Sequence, residues 1–204
     1  YKSLDEALAH GGISNKIKVN LTRIESDKLL PKNLNNIISG LSGILIPGGF
    51  GKRGTEGKIE AIKYARTNNV PFFGICFGMQ MAIIEVARNL LKINNASSSE
   101  FGNSCTPVVG LLNEWKKGKK MIKGSEKNLG GTMRLGLYDA VISKGTNIYK
   151  IYKTNKIKER HRHRYEVNIN YKEAFEKKGL IFSALSPDGL LPEIVELKNH
   201  PWFI

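Results

Sequence analysis

The chain has 204 residues, enough for one domain that buries its own core without metals or disulfide staples. Hydrophobic residues at 41% and charged residues at 25% exclude a disordered, collagen-like or coiled-coil chain, and two cysteines, Cys76 and Cys105, exclude a disulfide framework or a zinc pattern. Thirty-two Lys and Arg against 18 Asp and Glu leave a formal charge of +14, yet the lysines are scattered and no aromatic residues interleave with them, so no nucleic-acid partner is expected.

From the first residue onward, Ser3 followed by Glu6 reads as a capping box that opens a short helix stopped by Gly11-Gly12. Ile17, Val19 and Leu21 alternate with polar residues as a strand with one buried face does. Ile44-Leu45-Ile46 is a buried strand that delivers the loop Pro47-Gly48-Gly49-Phe50-Gly51. Thr55 then caps a helix with Ile59, Ile62 and Ala65 or Arg66 on one face, ended by Asn68-Asn69. Val70 to Ile75 is a second apolar strand, and Gly78 to Leu91 a helix apolar nearly all round and hence buried on most sides. That order predicts an α/β fold with a mostly parallel central sheet flanked by helices.

The second half is richer in strands. Met133, Leu135 and Leu137 alternate with Thr132, Arg134 and Gly136; Leu180 to Leu185 and Ile194 to Leu197 are short strands, with a helix over Tyr171 to Lys178. Trp202-Phe203-Ile204 opens another strand, an exposed edge unless further chain covers it, so the domain is expected to be truncated there. Asn94 to Pro107 and Lys116 to Gly131 are long enough to be lids. No stretch reaches the ~18 apolar residues of a membrane span, and Tyr1 to Asp5 lacks a secretory pattern, so a soluble, cytoplasmic protein without a membrane partner is expected.

Gly74-Ile75-Cys76-Phe77-Gly78 carries the chemistry. The pattern G-x-Cys-x-G between an apolar strand and an apolar helix is that of a nucleophile elbow, where small neighbours let strand and helix pass closely and the thiol is pushed outward. A helix N-terminus is expected to lower the thiol pKa. The oxyanion formed by attack on a carbonyl would find one donor in the Phe77 amide and another in the Gly49 region. Taken alone, the loop 47–51 equally suits a phosphate. Cys105, in a Ser/Thr/Pro loop, reads as structural.

Together with Arg53-Gly54, Ser99-Glu100-Phe101, Gly130-Gly131-Thr132-Met133-Arg134-Leu135-Gly136 and Glu159-Arg160-His161-Arg162-His163-Arg164-Tyr165-Glu166-Val167-Asn168, the elbow and the glycine loop resemble the class I glutamine amidotransferase domains of the CTP synthase family, from Tyr1 to Ile204. The resemblance implies a flavodoxin-like glutaminase domain at 1–204, truncated at both ends, with its amidoligase domain preceding Tyr1. It implies that Cys76 attacks the side-chain amide of L-glutamine, that Gly49 and Phe77 hold the oxyanion with Gly78 in the same turn, that Gln80 and Glu100 grip the amine, and that Arg164 pairs with the carboxylate. It implies no metal and no cofactor in this domain, ATP and Mg for the amidoligase domain, GTP as an allosteric activator and a homotetramer. The family's His and Glu, in a His-Pro-Glu run, are not among these 204 residues. His200-Pro201 matches a separate structural pair, His161 and His163 fall in the basic motif, and His10 is far from the elbow in sequence. Without the base, a non-catalytic glutamine-binding or regulatory domain is the alternative. Arg160 and Arg162 are expected to share a strand face with Arg164, toward a nucleotide phosphate or toward water.

Overall fold

A computed structural model of the chain describes residues 1–102, 104–111 and 133–204. The glycines that open the Gly130-to-Gly136 motif and the expected lid at Lys116 to Gly131 lie outside the described residues.

Three α-helices and two strands precede the elbow: α1 (Lys2–Ser14), α2 (Leu34–Ile38), β1 (Ile44–Ile46), α3 (Thr55–Thr67) and β2 (Phe72–Gly74). Helix α1 runs through Gly11-Gly12 rather than stopping there, and no side-chain cap forms at its start, with Ser3 already inside the helix. It ends where Asn15 bonds back to the Gly11 carbonyl through both its backbone and its side-chain N–H. A Cβ on Gly12 would stand 2.8 Å from the Ile17 carbonyl oxygen, so the second glycine serves a close return of the chain. The expected strand over Ile17 to Leu21 pairs with no strand among the described residues, and Ile17 is 63% exposed. Alternation marks an extended segment; a strand also needs a neighbour to fill its hydrogen bonds. Thr55 is the first residue of α3, with Gly54 as the left-handed cap and the Thr55 hydroxyl donating to the Lys52 carbonyl.

β1 and β2 pair in parallel, Ile46 opposite Gly74, and Phe203 bridges to Phe72 on the other side of β2, also in parallel. The expected edge at Trp202-Phe203-Ile204 is therefore covered, with Phe203 2% exposed and its ring 4.6 Å from that of Phe72. Helix α4 (Phe77–Asn89) follows β2 and runs through the main core, where Met81, Ile83, Ile84 and Val86 are fully buried. Its one interior acid, Glu85, is held by a two-pronged pair with Arg66 of α3, at 2.7 and 2.9 Å. Removing one partner of such a buried pair costs far more than the intact pair contributes.

β3 (Ala96–Ser98) and β4 (Thr106–Leu111) pair in parallel, and β4 pairs antiparallel with β7 (Tyr165–Val167). A four-stranded antiparallel sheet orders β6 (Lys156–His163), β5 (Arg134–Ile142), β8 (Leu180–Leu185) and β9 (Pro192–Leu197), with α5 (Asn147–Tyr152) and α6 (Lys172–Lys177) as short connections. The α/β class stands, with parallel pairing among the described residues confined to the strands around β2 and to β3 with β4. At the start of β5 the leucines face outward, Leu135 and Leu137 being 60% and 63% exposed while Arg134 is 6% exposed; Ala140 and Ile142 further along the strand are buried. Opposite them on the same outer face stand Arg162 and Arg160. Arg164 lies in the bend after β6, off that face, so the expected shared alignment of three arginines ends at two.

Candidate active site

The junction of β2 and α4 is set by steric demands that only its glycines meet. A Cβ on Gly74 would lie 2.8 Å from the Gly78 carbonyl carbon, and one on Gly78 would lie 2.2 Å from the Ile46 carbonyl oxygen. Between them Cys76 has φ 53 and ψ −103, a left-handed setting that costs a non-glycine residue roughly 1–3 kcal/mol and is tolerated where surrounding structure over-determines it. Bonds from the Ile75 N–H to the Ile46 carbonyl and from the Gly78 N–H to the Ile75 carbonyl, both 2.9 Å, supply that constraint. The half-buried thiol thus stands where a strand ends and the unpaired amides of a helix begin.

The loop 47–51 lies against this turn. A Cβ on Gly48 would be 3.7 Å from that of Cys76, and one on Gly49 would be 3.6 Å from the Phe77 ring. Glu100, in a 3-10 turn over Ser99–Phe101, accepts a 2.6 Å bond from the Gly51 N–H, and Phe101 meets the Phe77 ring edge-on. Gly49, Phe77, Gly78 and Glu100 are therefore gathered around Cys76. Gln80 is buried one turn into α4, where its side-chain N–H donates to the Tyr165 carbonyl at 2.9 Å, tying the helix to β7. Arg164 is half-buried and makes no hydrogen bond or ion pair with another described residue. Cys105 sits in a bend with its sulfur 3.4 Å from the Gly102 carbonyl oxygen, a setting with no chemical emphasis. His200 is buried and bonded between the Ala65 carbonyl and the Trp202 N–H, and His10 is exposed on α1.

Burial pushes the Cys76 thiol above its ordinary value; the Phe77 N–H opposes this, and the charges of Glu166 and Glu100 add to it. The expected lowering by the helix end is outweighed, because removing a thiolate from water acts on the whole charge and one amide returns only part of it. Glu100 is likewise pushed up by burial, against the Gly51 N–H.

On its other side Cys76 opens onto a cavity of about 250 Å³ whose lining includes Gln80, His161, His163, Glu166 and Glu193. Gly49, Glu100 and Arg164 are outside that lining. Here the structure assembles a cluster that the sequence reading did not single out. The Arg134 guanidinium donates to Glu193 at 2.7 Å and to Glu166 at 3.3 Å, and it stacks on the Tyr138 ring 4.5 Å away. His161 and His163 share a 2.8 Å ring-nitrogen contact, and each has a ring nitrogen 3.4 Å from one of these carboxylates. Burial is the chief cause of the shifts: Glu166 is pushed up to about 8, and His161 and His163 are pushed down to about 4. The Arg134 guanidinium opposes the rise of Glu166, but burial outweighs it. Membership of one basic motif could have flagged Glu166; nothing in the sequence ties Glu193 to it.

This cluster makes stability depend on pH with a definite sign. The histidines contribute above their ordinary 6.5, and that contribution is lost as pH falls toward 4; protonated Glu166 contributes below its ordinary 4.5, and that contribution is lost as pH rises toward 8. The cluster's contribution should therefore peak near pH 6.5 and fall by about 2 kcal/mol by pH 8. Urea unfolding at pH 6.5 and 8 should show that decline in the parent and not in Glu166→Gln.

Among the described residues no group of His, Cys, Asp and Glu is placed to hold a metal ion, and no helix is long and apolar enough to cross a membrane.

The profile of the family described as Glutamine amidotransferase class-I matches residues 1–204. The chain is 67% identical over 204 residues to a CTP synthase of Pelagibacter ubique and 58% identical over 205 residues to one of Agrobacterium fabrum, in each case covering all of this chain and 38% of the relative. The chain thus spans less than half the length of the curated relatives it matches. Among solved structures, the glutaminase domain of Trypanosoma brucei CTPS with bound acivicin superposes with a TM-score of 0.87 at 36% identity, covering 100% of this chain and 77% of that one.

Proposed function

This chain belongs to the class-I glutamine amidotransferases, in the group formed by the glutaminase domains of CTP synthases, and we propose that it hydrolyses L-glutamine to glutamate and ammonia through a Cys76 thioester. The observation that carries the reading is the thiol held at positive φ between two glycines that a side chain would jam, with a second glycine loop packed on it. In the proposed reaction the Cys76 sulfur attacks the side-chain amide carbon, and the Phe77 and Gly49 amides hold the oxyanion. The carbon–nitrogen bond then breaks, the nitrogen leaves with a proton as ammonia, and water cleaves the thioester to return the thiol and glutamate.

Glutamine is a zwitterion, so its capture needs an anion at the amine and a cation at the carboxylate. Glu100 beside the glycine loop supplies the first and Arg164, without a partner among the described residues, the second. Gln80 orients the site through its bond to Tyr165. A thiol pushed up by burial needs a base to reach the attacking thiolate. In the whole polypeptide the ammonia would serve ATP- and Mg-dependent amination of UTP to CTP by an amidoligase domain, with GTP as activator and a tetrameric assembly.

That same raised thiol favours one competing reading, a glutamine-binding domain without turnover. Ammonia release at saturating glutamine by the full-length polypeptide supports the hydrolase; saturable glutamine binding without release supports the binder. Arg164→Ala should weaken glutamine capture by ~1.5–3 kcal/mol, roughly 10- to 150-fold, as expected for a charged hydrogen bond left unmade. Isothermal titration with glutamine checks this, and unchanged affinity would place the carboxylate elsewhere.

A further inference from the structure

The geometry points to Arg134 as a positioning residue for the glutamine site, an inference that rests on the reading above: without touching the substrate, it holds the segment from His163 to Glu166, which carries Arg164, against the helix that follows Cys76. Arg134, the first residue of β5, enters the interior while its neighbour Leu135 is exposed. Its guanidinium reaches two carboxylates on two different strands, Glu166 of β7 and Glu193 of β9. The Tyr138 ring fixes the plane of the fork.

From this fork a continuous set of bonds leads to the thiol. Glu166 is the neighbour of Tyr165, whose carbonyl oxygen accepts from Gln80 of α4 and stands 3.1 Å from the His163 ring. Gln80 lies one turn after Cys76, and its backbone N–H bonds to the Cys76 carbonyl. Residues 163–166 are thus pinned on one side by the elbow helix and on the other by Arg134. Arg164 is the member of this segment with no tie of its own among the described residues, so its direction is inherited from its neighbours. A lysine at position 134 would keep the charge but could not present two donors in a fixed plane to two separated carboxylates.

The test uses two electrophiles on the parent and on Arg134→Lys, with the labelled cysteine identified by mass spectrometry. Iodoacetamide reports access to the Cys76 thiol and needs no recognition of amine or carboxylate. A chloroketone analogue of glutamine needs both. The expected result for Arg134→Lys is a half-saturating analogue concentration raised about 10-fold or more, with the iodoacetamide rate changed less than about threefold. Half-saturation unchanged, or both reactions falling together as in general loosening, would overturn the positioning role. If Arg134→Lys does not fold, Glu193→Gln decides: a shift of about threefold in the same direction supports the role, and none overturns it. Absence of saturable labelling in the parent would instead overturn the glutaminase reading, and this inference with it.

Discussion

Replacing Cys76 with alanine is expected to abolish glutamine-dependent ammonia release by the full-length polypeptide, a loss on the order of 10⁴-fold or more, because no other described group can form the covalent intermediate. Covalent capture of an electrophilic glutamine analogue should vanish with it, whereas Cys105→Ala should leave both intact. The contrast rests on setting rather than on exposure, since both cysteines are partly buried. Cys76 is held at positive φ with a helix N-terminus behind it, while Cys105 rests in a bend near the Gly102 carbonyl. Glutamine binding should survive in Cys76→Ala, because the proposed ligands of the amine and carboxylate are untouched. Labelling that persists in this variant would remove the nucleophile from the mechanism, whatever the family.

Gly78→Ala should be nearly as damaging by a different route. The added carbon would lie 2.2 Å from the Ile46 carbonyl oxygen and 3.0 Å from its carbon, so β1 and α4 must separate. Neither can move freely: α4 is packed on all sides by the main core, and Ile46 belongs to it. Overpacking against backbone should cost more than ~3 kcal/mol. Gly48→Ala is the informative control, since its carbon would meet only the Cys76 Cβ at an ordinary 3.7 Å. Urea midpoints should therefore fall sharply for the first variant and little for the second. Equal midpoints would mean that strand and helix can part at little cost.

Much of this arrangement could be read from local pattern. β8 falls at Leu180 to Leu185 as expected, and α4 lies within two residues of its expected limits, because an apolar run bounded by turn residues leaves few alternatives. The elbow was legible for the same reason that it is rigid: steric demand writes itself as glycine at fixed spacing. Other features escaped because they depend on partners distant in sequence. Periodicity at Arg134 to Leu137 announces that the two faces of a strand differ, but the inward face is chosen by Glu166 and Glu193, 32 and 59 residues away. The capping signal at Ser3 lost to a helix that began a residue earlier, and the alternation at Ile17 to Leu21 had no neighbour to pair with. The thiol's raised pKa followed from how much protein surrounds it, a quantity no short motif reports.

The parallel placement of residues 202–204 beside β2 has a mechanical consequence. Tension applied along the chain at Ile204 would act along the line of the strand, loading the bonds from Phe72 and Gly74 to Trp202 and Ile204 in shear, so that they yield together rather than unzip singly. The turn that presents the sulfur is thereby guyed from the far end of the sequence, and pulling there should leave its shape intact until a single abrupt rupture.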